Sequence, residues 1–202
     1  MRKEIINLIK EDILPKYDEV KCGGHGRNHI ETVIKRSYDM AIEFNQNPEV
    51  CCMAAALHDI GLLTNSRKYH HIGSAIYVCE NIQTLRKYFS DDEIYIIFKA
   101  VLEHRSTFKD EYFSIVSKIV SDADRSDDIV SMITRSYEYS KPNYSGIELQ
   151  NVVYEHLKEK YYDRQYSFIS KKLQHDLDEA KKILSNKELF DKYYDKITNN
   201  KW

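Results

Sequence analysis

The sequence predicts an all-α fold, and three observations carry that reading. Gly and Pro together number nine in 202 residues, well below the roughly 12% of an average protein. Folds with many turns or strand-to-helix corners need more of both. Apolar residues recur at spacings of three and four along most of the chain. No stretch alternates in the manner of a half-buried strand. With 42% hydrophobic residues at this length, the chain can bury a substantial core.

The elements follow in order. Residues 2–14 place Ile5, Ile6, Ile9 and Ile13 on one helical face. Residues 29–45 do the same with Ile30, Val33, Ile34, Ala41 and Phe44. Pro48 suits the first turn of a third helix that runs to about Asp59 and ends at Gly61. That helix, VCCMAAALHD, is apolar all round and is expected at the centre of the bundle. A fourth helix covers about His70 to Ile82. Ser90-Asp-Asp-Glu93 is a capping box that opens a fifth, reaching His104. A sixth spans about Glu111 to Asp122 and a seventh about Asp127 to Glu138. Tyr139–Gly146 reads as a loop, and Ser145 with Glu148 offers a second capping box. Residues 147–198 read as two or three helices rich in Lys, Tyr and acids. One domain is expected over 1–202, with a core of about 20–135 and a C-terminal helical extension of about 145–202.

Composition excludes several classes. The net charge is −2, so no global basic field points to nucleic acid. No run approaches the roughly 20 apolar residues of a membrane span. The start, MRKEIINLIKED, is charged and amphipathic, unlike a signal peptide. Cys22, Cys51, Cys52 and Cys79 form no CxxC pair, and two of them sit in the apolar run. Reduced, buried thiols in a cytoplasmic protein are the expectation.

Six of the eight histidines lie between His25 and His104. Buried helices avoid His and Asp unless these groups are paired or hold a metal. Yet His58 and Asp59 end the most apolar helix, His29 opens the one before it, and His70 and His71 open the one after. His104 closes the fifth helix, and Asp122 and Asp124 follow the apolar stretch of the sixth. Such helix-end imidazoles and carboxylates can converge on one pocket. The dipeptide alone carries little, because His175-Asp176 also occurs, in an exposed, charge-laced helix.

The ordered set H…HD…D resembles the HD-domain superfamily of metal-dependent phosphohydrolases. The likeness runs from GHGRNHIETV through AAALHDIG to KIVSDADRSDD, roughly residues 20–135. It is closest to small bacterial HD hydrolases with a DADR-type motif. The resemblance implies an HD-type helical bundle with additional C-terminal helices. It implies His29, His58, Asp59 and Asp124 as metal ligands, with Asp122 either orienting a ligand or merely ending its helix. Asp59, His71 and His104 are the implied catalytic residues. Relatives with a second metal carry histidines near positions 71 and 104, with Asp59 bridging two ions; in single-metal relatives such histidines bind phosphate or act as acid. His70 is expected to cap its helix and face solvent. His25, Arg27, Arg105 and Arg125, with Lys68, are the candidates for substrate phosphate, and Arg125 alternatively pairs with Asp122 or Asp128.

The expected cofactor is a divalent ion (Mn, Mg, Co, Ni, Fe or Zn), one or two per chain, because mixed N/O ligation suits first-row metals. The expected substrate is a nucleotide or another small phosphate ester or anhydride. Relatives that act on deoxynucleoside monophosphates carry Glu soon after the HD pair. Here Ile60–Asn65 contains no acid, which speaks against that specificity. Nor does Lys follow Gly61, as it does in the cyclic-dinucleotide phosphodiesterase branch. A di-iron oxygenase using His29, His58, Asp59, His71, His104 and Asp124 is the alternative enzyme. A non-catalytic metal- or nucleotide-binding regulatory module is the third reading. The tyrosines of the tail, from Tyr154 to Tyr194, pack over the pocket, form a homodimer contact or, as helix-spaced aromatics more often do, belong to the core.

Overall fold

A computed structural model of the chain describes residues 1–20, 26–64, 67–125, 128–163 and 167–199. Among these residues every regular element is helical. The chain divides into two compact units, Met1–Arg125 and Ser126–Trp202.

The first unit opens with α1 (Lys3–Asn7), which continues as a π turn (Leu8–Ile13) and a 3-10 turn (Leu14–Glu19). Pro15 explains the change, because its ring clashes with the carbonyl four residues back and it donates no N–H. The Leu14 N–H reaches five residues back, to the Ile9 carbonyl. Ile5, Ile9 and Ile13 are buried, on the face the spacing predicts. Tyr17 is buried too, and its hydroxyl donates to the Ala56 carbonyl at 2.7 Å.

Helix α2 (Arg27–Glu43) buries Ile30, Val33, Ser37, Met40 and Ala41. Helix α3 (Pro48–Leu57) starts with Asn47 accepting from the Glu49 N–H and Pro48 in its first turn. Every residue from Val50 to Leu57 is buried, and α3 packs against α2, α6 and α7, as its all-round apolarity predicts. Helix α4 spans His70–Glu80, the short α5 Ile82–Leu85, α6 Asp91–Glu103 and α7 Ile115–Arg125. The capping box at Ser90 and Glu93 is present in both directions.

Two expectations fail at glycines. Helix α3 ends at Leu57 rather than Asp59, and Gly61 does not supply a left-handed stop. It sits in a 3-10 turn (Ile60–Leu63) pressed against the start of α4, where an added Cβ would stand 2.5 Å from the Ser74 nitrogen. The Gly61 N–H donates to Ser74 Oγ at 3.0 Å, and that hydroxyl donates to the His58 carbonyl at 2.7 Å. At the other glycine, Ser145 makes no side-chain cap. Gly146 enters its helix at φ 54°, in the left-handed region, which breaks the regular geometry a capping box needs.

The second unit holds α8 (Ile129–Ser140), α9 (Gly146–Leu157) with a π turn (Lys158–Asp163), α10 (Lys171–Leu184) and α11 (Lys187–Thr198). Asp128 caps α8 by accepting from the Ser131 N–H; the expected start at Asp127 lies outside the described residues. Leu149, Val153, Leu177, Leu184 and Phe190 form its interior. Tyr154 stacks near Phe190, with ring centroids 4.9 Å apart, and donates to the Leu184 carbonyl at 3.1 Å. Tyr194 packs against Tyr137 and Phe190. These tail tyrosines thus pack within their own unit, and Tyr166 lies outside the described residues. No described helix is long and apolar enough to cross a membrane.

Candidate metal centre

Five helices bring their ends to one point in the first unit. His29 comes from the first turn of α2, four residues before buried Val33 and eight before buried Ser37, so it shares their inward face. His58 is the C-cap of α3 and keeps helical angles, whereas Asp59 leaves the helix at φ −107°, ψ 5°. That break lets two sequence neighbours reach one centre, although on a continuing helix they would diverge by about 100°. His104 is the C-cap of α6, and Asp124 lies in the last turn of α7.

The sixth member is His70, the first residue of α4. Solvent-facing capping is the expectation, and the structure overturns it: His70 is buried, and its Nε2 stands 3.1 Å from Asp59 Oδ1. The reason is the contact between Gly61 and α4, which turns the first residue of that helix toward Asp59.

Asp59 divides the cluster. Its Oδ2 faces His58 Nε2 at 3.3 Å and His29 Nε2 at 3.7 Å. Its Oδ1 faces His70 Nε2 at 3.1 Å and His104 Nε2 at 3.6 Å. Asp124 Oδ1 closes the first side, 3.1 Å from His29 Nε2 and 3.6 Å from His58 Nε2. On the second side His70 Nε2 and His104 Nε2 are 2.9 Å apart.

Three rings are locked in the same way. The Nδ1 atoms of His58, His70 and His104 lie 2.7, 2.6 and 2.6 Å from the carbonyls of Ala55, Arg67 and Val101, each three residues earlier. A carbonyl only accepts, so Nδ1 carries the proton and Nε2 turns its lone pair to the centre. Such backing orients metal-ligating histidines. Two lone pairs 2.9 Å apart repel unless a proton or a cation lies between them. His58 Nε2 is likewise buried without a hydrogen bond. A buried carboxylate, Asp59, and a partly exposed one, Asp124, facing four imidazoles therefore have the donor chemistry of a divalent first-row cation. Three overlapping groups, His29–His58–Asp59, His58–His104–Asp124 and Asp59–His70–His104, have donor atoms within 4.8 Å of one another and could hold an ion.

The two carboxylates attract positive charge to this point, whether a proton on His58 or a bound cation. Burial alone would raise the Asp124 carboxyl, but the His29 and His58 imidazoles facing it hold it well below the usual carboxylate range. Burial works against charge on His58, yet Asp59 and Asp124 hold its imidazole well above the usual range. Burial pushes His104 down.

The other expected residues fall around the cluster. His71 belongs to none of the three donor groups; its ring meets that of His70 edge-on at 5.9 Å. Burial and the nearby Arg105 guanidinium push its imidazole down to about 4. Arg105 donates to the Lys68 carbonyl, and the Lys68 ammonium lies over the exposed Tyr69 ring. Arg125 is buried, and its guanidinium donates to the carbonyls of Arg105 at 2.7 Å and His104 at 3.3 Å. Arg27 pairs with Glu31 at 3.1 Å and Asp18 at 3.6 Å. Asp122 is fully buried and meets Lys118 Nζ at 2.5 Å. His25 lies outside the described residues. No motif marks the role of Ser74, and the His70–Ser74–Val78 spacing of four competes with Ile72 and Ile76, which favour the opposite face.

A model of the HD domain family matches residues 26–129, just over half of the chain. Two solved structures share the fold. One, described as a predicted HD superfamily hydrolase from an uncultured Thermotogales bacterium, is 20% identical with a TM-score of 0.52, over 78% of this chain and 83% of that one. The other, a structural-genomics target from Lactobacillus plantarum, is 17% identical with a TM-score of 0.63, over 96% of this chain and 98% of that one. No curated protein matches.

Proposed function

The chain belongs to the HD domain family, and from that premise we propose that it is a metal-dependent phosphohydrolase acting on a nucleotide or another small phosphate ester or anhydride. The observation that carries the reading is Asp59, whose two oxygens face two separate sets of histidine Nε2 atoms. His29, His58, Asp59 Oδ2 and Asp124 would hold one divalent ion; Asp59 Oδ1, His70 and His104 would hold a second. When bound, such ions lower the pKa of a water and polarise a phosphoryl oxygen.

The chain's own residues supply the rest. Asp59 and His104 are held by burial, and His104 also by its Nδ1 contact with the Val101 carbonyl, so they stay in place while charge develops beside them. His71, whose ring belongs to none of the three donor groups, accepts the proton released from the attacking water. His71, adjacent to the cluster but outside it, and Arg105 are placed in our reading on the substrate side, where they hydrogen-bond phosphoryl oxygens. Arg27, at the start of α2, is a further phosphate contact we propose, and His25 is another. Arg125 acts from beneath by holding the carbonyl of His104. The likeness to a structure described as a predicted HD superfamily hydrolase supports hydrolysis as the reaction class.

The test is turnover of a nucleotide panel with added divalent metals, comparing the natural protein with His58→Ala and Asp59→Ala. Metal-dependent phosphate release lost in both variants is expected; equal release in all three proteins overturns the proposal. Five donor residues around one bridging carboxylate also suit a di-iron oxygenase. Two irons per chain with oxygen consumption, and no phosphate release, would favour that second reading.

A further inference from the structure

Helix α4 carries the candidate site on its buried face and an apolar seam on the opposite one. Tyr69, Ile72, Ile76 and Cys79 are all exposed, the two isoleucines at 44% and 50%. Their 3-4-3 spacing confines them to an arc of about 80° at 100° per residue. That is the pattern of a helix–helix seam. It is also symmetric about Ser74: Ile72 and Ile76 lie two residues either side, Tyr69 and Cys79 five, and Lys68 and Glu80 six.

The charges at the ends break the local rule. A helix favours acids at its start and bases at its end, yet the first turn of α4 has no acid and the last no base. Instead Lys68 precedes the helix, its ammonium over the Tyr69 ring at 5.1 Å, and Glu80 closes it. The absence is shared with α2 and α8, but a base at the positive end and an acid at the negative end of α4 are placed to be offset by opposite charges from outside. An antiparallel neighbour with the same sequence supplies them, because it sets a Glu80 end against each Lys68 end and opposes the two helix dipoles.

We propose that the exposed face of α4 pairs antiparallel with α4 of a second copy of this chain, around a two-fold axis at Ser74. The contact is isologous, as two-fold dimers require. Ile72 packs against Ile76 of the partner subunit and Tyr69 against Cys79 of the partner subunit. One helix pair buries less than the roughly 800 Å² per partner of a standard interface, so the dimer dissociates on dilution. The proposal does not depend on the hydrolase reading, since no donor residue takes part.

Sedimentation across a concentration series tests it. The natural protein is expected to pass from monomer to dimer as concentration rises. Ile76→Glu is expected to remain monomeric; the side chain is exposed, so the fold tolerates it. Lys68→Glu and Glu80→Lys are each expected to weaken association several-fold, and the double variant to restore it. A natural protein monomeric even at millimolar concentration overturns the proposal, as does a dimer indifferent to Ile76→Glu. Single charge reversals that weaken the dimer without rescue in the double variant also overturn it, because they point to a pairing that is not antiparallel and symmetric.

Discussion

A methyl group on Gly61 would stand 2.1 Å from the carbonyl oxygen of His70. The turn after Asp59 and the first residue of α4 touch backbone to backbone, so the position of one metal-type ligand depends on the absence of a side chain two residues after another. Gly61→Ala must push the start of α4 away. Overpacking of this kind costs about 1–3 kcal/mol. Urea unfolding is expected to register that loss, together with weaker metal binding on the His70 side.

His70 and His71 are adjacent but differ in consequence. His70→Ala removes a donor facing Asp59 and is expected to lower bound metal by one ion per chain. His71→Ala is expected to leave metal content unchanged and to reduce turnover through substrate contacts. Metal analysis after dialysis, alongside phosphate release, separates the two. Equal loss of metal from both variants would mean that the division between them is misread.

Arg125 serves the site from below. Hydrogen bonds from charged donors are worth about 1.5–3 kcal/mol, so Arg125→Gln is expected to lower stability by an amount of that order as the carbonyls of His104 and Arg105 lose their partner. Thermal unfolding with steady-state kinetics checks it. A fall in kcat with little change in KM fits a brace; a large rise in KM with unchanged stability would instead make Arg125 a phosphate ligand.

The thiols of α3 are predicted to be inert. Burial pushes Cys51 and Cys52 up to about 12, so about one in 10⁴ is thiolate at pH 8. Reactivity from these groups would appear only as pH rises toward 12. Exposed Cys79 is expected to be alkylated before Cys51 and Cys52, which peptide mapping after iodoacetamide labelling would register.

Much of the site is legible in the sequence. His58 and Asp59 end an all-apolar helix, and His29 and Asp124 lie at helix ends that must pack on it, so their order along the chain carries the information. The choice between His70 and His71 is not legible, and the cause is physical. Ile72 and Ile76 are the strongest apolar residues of α4, and a periodicity reading turns them inward, which sends His70 outward. The helix packs the other way, on Gly73, Ser74, Ala75 and Val78, with its isoleucines exposed. Gly61 is ambiguous for a related reason: a glycine after a helix suits a left-handed stop and a close backbone contact equally. Capping depends on nearby backbone alone, and there the reading succeeds at Ser90. It fails at Ser145, where Gly146 takes a positive φ that spacing does not reveal.

The central claim is that Asp59 bridges two ion sites, one on each oxygen. Anomalous diffraction from crystals soaked in manganese tests it most directly. The account predicts two peaks, one among His29, His58, Asp59 and Asp124 and one among Asp59, His70 and His104; the absence of any peak within bonding distance of Asp59 would contradict it.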